Sequence, residues 1–257
     1  MTQSLTGIGA TSLPTPSSEL SALNAMLERA SAERVVEWAV SEFADGLIMS
    51  SSFGAESAML LHLATRHLPR IRVVFIDTGY LFPETWQFME QLRRRLDLNV
   101  WVYRTRHDPI DFLRQHGEGD PHWRTDIESC CRHNKNEPFE RAIADLRPRA
   151  WLRGVRRGQA ETRRNMQFVE WSQRYQCYAI SPLLNLSTRQ IHEYLKQHEL
   201  PYHPLYEKGY ASIGCNPLSC TRPIEPGQDT RAGRWAGKDK LECGINLTSN
   251  SLDSAGL

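Results

Sequence analysis

Leu47-Ile48-Met49-Ser50-Ser51-Ser52-Phe53-Gly54-Ala55-Glu56-Ser57 is the stretch that decides the fold of this chain. Its apolar start reads as a short buried strand. The strand passes into a loop of Ser, Gly and Ala, and residues 57–65 then read as a helix. A small-residue loop between the C-terminal end of a strand and a helix is where anions bind. Unpaired backbone N–H groups and the helix dipole converge there. Gly54 permits close approach to the backbone, and Ser52 and Ser57 bring hydroxyl donors. An ordinary serine-capped turn uses the same residues, so the loop alone leaves both readings open.

Outward from this stretch, β-branched or apolar runs at 71–76, 100–103, 150–152 and 178–180 read as further strands. Helical periodicity covers 19–43, 83–96, 109–115, 135–146 and 187–198. Pro83 suits a first helical turn, and Ser187 is a plausible N-cap. Strands alternating with helices imply an α/β fold with a doubly wound, mostly parallel sheet. From Tyr202 onward Pro and Gly are frequent and periodicity fades. Three regions are therefore expected: a disordered arm at 1–17, an α/β domain at 18–200, and an irregular flap and tail at 201–257. No internal repeat is visible.

The chain has 257 residues, with 31 Lys and Arg against 30 Asp and Glu. A net charge of +1 produces no global field and gives no support to a nucleic-acid partner. Basic residues cluster locally at Arg153, Arg156, Arg157, Arg163 and Arg164, which suits a small anionic ligand. No apolar run approaches the roughly 20 residues of a membrane helix. The first residues lack the basic and apolar blocks of a signal peptide, so a cytoplasmic location is expected. In that compartment six cysteines read as metal ligands or catalytic thiols before disulfides.

Two more strand ends carry polar loops. The second strand leads to Asp77-Thr78-Gly79, and the fourth to a loop bearing Arg156, Gln159 and Arg163. Three such loops at one sheet edge outline a single crevice. Arginine and glutamine there suit bidentate, charge-assisted binding of phosphate or sulfate. The cysteines divide in an informative way. Cys130-Cys131 and the pair Cys215 and Cys220 read as four candidate metal ligands. Cys243 stands apart on a polar tail near Arg231, Arg234, Lys238 and Lys240, cations that favour a thiolate nucleophile. Cys177, on an apparent strand, reads as a small core hydrophobe.

The stretch Ser52 to Ser57 resembles the PP-loop of the adenine-nucleotide hydrolase superfamily. Phe75-Ile76-Asp77-Thr78-Gly79-Tyr80-Leu81-Phe82-Pro83-Glu84-Thr85 resembles one branch of it, the assimilatory adenylyl-sulfate and phosphoadenylyl-sulfate reductases. The likeness continues through 154–163, through Leu200-Pro201-Tyr202-His203-Pro204-Leu205, through Gly209-Tyr210-Ala211-Ser212-Ile213-Gly214 and into Glu242-Cys243-Gly244-Ile245. It covers residues 45–246, with the motifs in family order.

The resemblance implies a Rossmann-like PP-loop fold. It implies a nucleotide lying over Ser52, Phe53, Gly54, Ser57, Asp77, Thr78 and Gly79, with its sulfate toward Lys135, Arg156, Gln159, Arg163 and Arg222. Cys243 would attack the sulfur, AMP would leave, and thioredoxin or glutaredoxin would release sulfite from an S-sulfocysteine. The quartet Cys130, Cys131, Cys215 and Cys220 resembles the [4Fe–4S] site of the reductases that use adenylyl sulfate, with Lys135 and Arg222 beside the reacting group. Two departures stand out. Cys215 and Cys220 are separated by four residues where the family has two, and Asn246 stands where the family has His. A structural zinc or no metal remains open for the quartet. So do phosphoadenylyl sulfate as substrate, an ATP-dependent PP-loop ligase or thiolation enzyme, and a non-catalytic metal-binding protein.

Overall fold

The computed structural model describes residues 18–106, 127–216, 220–225, 227–235, 240, 242 and 244–246. The expected disordered arm, the helix expected at 109–115, and Cys243 all lie outside the described residues.

Six strands form one sheet in the order β3-β2-β1-β4-β6-β5. They are β1 (Leu47–Ser50), β2 (Arg72–Asp77), β3 (Asn99–Arg104), β4 (Ala150–Leu152), β5 (Val169–Ser172) and β6 (Cys177–Ile180). All neighbours are parallel except β5 and β6. From β1 the chain winds outward through β2 to β3, then returns to place β4 on the other side of β1. The order thus reverses between β1 and β4, the position where doubly wound sheets open a ligand crevice.

The central strands are buried on both faces, as parallel strands covered by helices must be. In β1, Met49 packs into one core and Ile48 into the other. The first core lies under α1 (Ser18–Leu27), α2 (Ala32–Phe43), α3 (Ser57–His67), α4 (Pro83–Arg95) and a later helix at Thr188–Gln197. The second holds Phe139, Trp151, Tyr175 and Cys177, so Cys177 is the buried core residue its strand position implied.

Three elements differ from the sequence reading. The helical stretch 19–43 is two helices, because the Ser31 side chain accepts a hydrogen bond from the Arg34 N–H and caps α2. The short strand β5 was not visible. It pairs with β6 around a turn in which Gln176 takes the left-handed conformation that usually signals itself by Gly. The helix read from Lys135 begins earlier, as α5 (Ile127–Cys131). It passes through a π-helical turn, Arg132–Asn136, into α6 (Glu137–Leu146). Both adjacent cysteines therefore sit on helix. The last helix, α7 (Thr188–Gln197), starts at Ser187 with a reciprocal capping box to Gln190.

Beyond α7 the chain is irregular but anchored. His203 is fully buried. Its Nδ1 accepts from the Leu205 N–H at 3.1 Å, and its Nε2 lies 3.1 Å from Thr85 Oγ1 on α4. Leu205 and Ile213 then pack on Phe82 and on Ala55 of the loop after β1. The flap is thereby clamped over that loop.

Candidate active site

The crevice at the switch point is a cavity of about 260 Å³. Its floor is the loop after β1, where Ser52, Gly54 and Ser57 face the space. Ser57 donates through its hydroxyl and its N–H to the Gly54 carbonyl, which closes the turn opening α3. Thr78 lines the cavity from the end of β2, and Arg156, Gln159 and Arg163 from the loop after β4. Lys135 reaches it from the π-helical turn, and Ala211 to Cys215 cover it from the flap. Widened or π turns recur where a helix must re-aim a side chain.

Four residues expected near the ligand do not line this cavity. Phe53 takes a positive φ of 47°, is fully buried and packs edge-on against Phe75, so its ring belongs to the core. Asp77 is buried, pairs with Arg104 and accepts the Gly79 N–H at 3.0 Å, which shapes the turn after β2. Neither Asp77 nor Gly79 lines the cavity. Arg222 is exposed and outside it. Two arginines not placed among the ligand residues, Arg231 and Arg234, do line it.

The buried arginines of the crevice are paired with protein carboxylates. Arg156 meets Glu56 and donates to the Leu186 carbonyl and Thr188 Oγ1, both at 3.2 Å. Arg153 meets Glu170 and donates to Ser181 Oγ at 2.9 Å. Burial pushes its pKa down, with Glu170 opposing. Arg163 donates to Glu242 through two parallel bonds of 2.6 and 2.9 Å. Removing one partner of such a buried pair costs about 3–5 kcal/mol, because the other charge is stranded. These arginines tie the chain after β4 to its neighbours, and they line the cavity together with Lys135, Arg231 and Arg234.

The chain beside Cys243 closes the site. Glu242, Ile245 and Asn246 line the cavity. Ile245 packs in the second core with Phe139 and Trp235. The Asn246 carbonyl accepts from Arg153 at 3.2 Å, and the Gly244 carbonyl from Arg174 at 3.1 Å. Gly244 lies so close to Asn136 that an added Cβ would stand 2.5 Å from its Nδ2.

A second, smaller pocket adjoins the first and shares Thr78, Lys135, Cys215, Arg234 and Trp235 with it. Cys130, Cys131, Cys215 and Cys220 all line it. Two elements bring them together. α5 carries the adjacent pair, and the flap carries the other two, with Cys215 bridged to Leu81 and the Asn216 N–H bonded to the Tyr80 carbonyl. Thr78 Oγ1 lies 3.4 Å from the Cys215 sulfur, and Asn134 donates to that of Cys130 at 3.6 Å. None of these cysteines is in a disulfide. Burial first, and then the three neighbouring sulfurs, push the Cys130 thiol up to about 12. Such crowding disfavours thiolates unless a cation shares the pocket, and a bound metal reverses the balance. No three of the four sulfurs lie within 4.8 Å of one another. A single tetrahedral zinc would draw them to about 3.8 Å apart, given a Zn–S bond near 2.3 Å. Four thiols lining one pocket are a donor set that suits an iron–sulfur group or a single thiophilic ion.

A Ser/Gly loop at the switch point of a parallel sheet, facing cations across a cavity, defines a doubly wound α/β protein with an anion-binding crevice. The model of the phosphoadenosine phosphosulfate reductase domain matches residues 46–223. A phosphoadenosine 5'-phosphosulfate reductase of Xylella fastidiosa (strain 9a5c) is 44% identical over 234 residues, 90% of this chain and 95% of that protein. An adenosine 5'-phosphosulfate reductase of Salinibacter ruber is 35% identical over 94% of each chain. The crystal structure of phosphoadenylyl-sulfate reductase from Candida auris, a phosphate complex, superposes with a TM-score of 0.68 at 27% identity, covering 80% of this chain and 98% of that one. Yeast FAD synthetase shares the fold alone, at 18% identity and a TM-score of 0.51. The chain belongs to the phosphoadenosine phosphosulfate reductase family, oxidoreductases that act on a sulfonucleotide in sulfate assimilation. No described helix is long and apolar enough to cross a membrane.

Proposed function

We propose that this protein reduces adenylyl sulfate to sulfite and AMP, with thioredoxin or glutaredoxin as electron donor. The observation that carries the choice of substrate is the four-cysteine pocket, which shares Lys135 and Thr78 with the nucleotide cavity. The Cys243 thiolate attacks the sulfate sulfur, and the S–O bond to the nucleotide phosphate breaks. AMP leaves with the bonding electron pair. The product on the enzyme is an S-sulfocysteine. A donor thiolate then attacks the Cys243 sulfur, sulfite departs, and the mixed disulfide is resolved by the donor's second thiol. Lys135, Arg231 and Arg234 neutralise the sulfate and the leaving phosphate, and the loop at 52–57 holds the nucleotide. Cys130, Cys131, Cys215 and Cys220 would hold a [4Fe–4S] group, which would supply electrostatic polarisation in the pocket that Lys135 also lines. Residues 18–200 serve as the nucleotide-binding domain, and 201–257 as flap and catalytic tail. Thiol exchange of this kind suits the reducing cytoplasm.

Phosphoadenylyl sulfate is the second reading, favoured by the name carried by the relatives at 43–44% identity. Thioredoxin-dependent sulfite release by anoxically purified protein decides between them. Faster turnover of adenylyl sulfate, abolished in Cys243→Ser, is expected. Faster turnover of phosphoadenylyl sulfate would transfer the assignment to the second reading. Retained turnover in Cys243→Ser would remove the covalent mechanism.

A further inference from the structure

We infer that Glu242 is a positioning residue, a latch that docks the catalytic tail by taking up the guanidinium of Arg163. The inference rests on Cys243 being the nucleophile, but its physical basis is separate. Glu242 is buried, as is Arg163, and the two meet through a planar pair of hydrogen bonds at 2.6 and 2.9 Å. Arg231 adds a longer contact at 3.5 Å. Gln159 accepts a further N–H of Arg163, which fixes the fork in the plane the carboxylate needs.

Three features mark the pair as a latch instead of generic surface electrostatics. The partners are 79 residues apart, so the bond ties the tail to the loop after β4. It is buried, so salt screens it little. Glu242 also immediately precedes Cys243 in the sequence, so anchoring Glu242 anchors the residue next to the nucleophile. On the far side of Cys243, Gly244 is seated against the Asn136 side chain, which an added Cβ would have to displace, and Ile245 enters the second core. The described residues on either side of Cys243 are therefore anchored, Glu242 by an ion pair and Ile245 by packing.

The arrangement also separates two jobs. With its fork turned to Glu242, Arg163 serves the tail, while Lys135 and Arg234 line the same cavity from other elements. Loss of the latch should therefore lower kcat while leaving KM nearly unchanged. A defect in substrate binding would do the reverse.

Hydrogen exchange of the peptide spanning 242–246, in substrate-free protein, reads docking without any chemistry. In Glu242→Gln, which keeps the shape and loses the charge, exchange should accelerate about ten- to a hundredfold, the worth of a buried hydrogen bond to a charged group. The kcat for sulfite release should fall at least tenfold, with KM within about twofold. Glu242→Asp keeps the charge and should lie between Gln and wild type, which tells a lost latch from a fold defect. Gly244→Ala, which crowds the Asn136 side chain, should reproduce the faster exchange by an independent route. Exchange in Glu242→Gln within twofold of wild type would overturn the latch. So would unchanged kcat with faster exchange. Wild-type protein that releases no sulfite from either sulfonucleotide would overturn the reductase assignment, and with it the positioning role. Exchange data would then still decide whether the pair docks the tail.

Discussion

Acidification from pH 7 to 4 should cost the folded protein about 3 kcal/mol through His203 alone. The imidazole is enclosed, and its two nitrogens have different jobs. Nδ1 accepts the Leu205 N–H, so it carries no proton, and the neutral ring's proton resides on Nε2, facing Thr85 Oγ1. A second proton would destroy the Leu205 bond and place a charge in the core beside Phe88. Burial accordingly lowers the pKa from 6.5 to about 4, with Glu84 opposing weakly. The folded pKa lies below the unfolded one, so the unfolded chain binds the extra proton. The stabilisation is complete above pH 6.5 and drains away as pH falls toward 4. It should have lost about 0.8 kcal/mol at pH 6 and about 2 kcal/mol at pH 5. Urea unfolding followed by tryptophan fluorescence at pH 7, 6 and 5 measures this against His203→Asn. In that variant the amide oxygen can replace Nδ1 toward Leu205 and nothing titrates. The variant should be less stable at pH 7, yet lose about 2 kcal/mol less than wild type between pH 7 and 5. Parallel pH curves for the two proteins would refute the reasoning. Because Leu205 packs on Ala55 of the nucleotide loop, KM should also rise more steeply on acidification in wild type than in the variant.

Two further predictions concern the site. Anoxically purified wild-type protein should carry about four irons per chain. Cys130→Ser and Cys215→Ser should each lose most of that iron and the associated visible absorption; zinc in place of iron would overturn the cluster. Asn246→His should keep or raise the rate of sulfite release, because a titrating imidazole beside the nucleophile adds a proton donor that an amide lacks. A tenfold loss in that variant would mean that Asn246 is a required part of this chain's own site.

The parts of the fold that were legible in the sequence are those encoded locally. The strand of residues 47–50, the serine loop and its helix follow from neighbouring residue types, and so does the capping box at Ser187. The cysteine pairs could be seen in sequence, but their convergence on one pocket depends on Cys215 lying beside Leu81, which no spacing reveals. β5 was missed because Glu170 and Ser172 break the apolar run and Gln176 occupies a turn position where Gly would have given the signal. The arginines of the loop after β4 were visible as a cluster, but not their partners. Glu56 is 100 residues from Arg156, and Glu242 is 79 from Arg163.

That pairing explains how a chain of net charge +1 makes an electropositive crevice. Arg153, Arg156 and Arg163 each lie in the interior, where an unpaired guanidinium would be costly, and each is matched by a glutamate. Their positive charge is neutralised locally, and what remains of them is rigidity. Lys135 comes from the π-helical turn, and Arg231 and Arg234 from the chain after Cys220, so the cations facing the cavity belong to elements that also frame the cysteine pocket. Arg234 lies under Gly214, where a Cβ would stand 2.3 Å from the guanidinium, and over the Trp235 ring at 4.6 Å. Its Nε donates to the Cys220 carbonyl. One residue thus links flap, cavity and cysteine pocket. The position of Arg234 in the cavity is thereby tied to the backbone of Cys220.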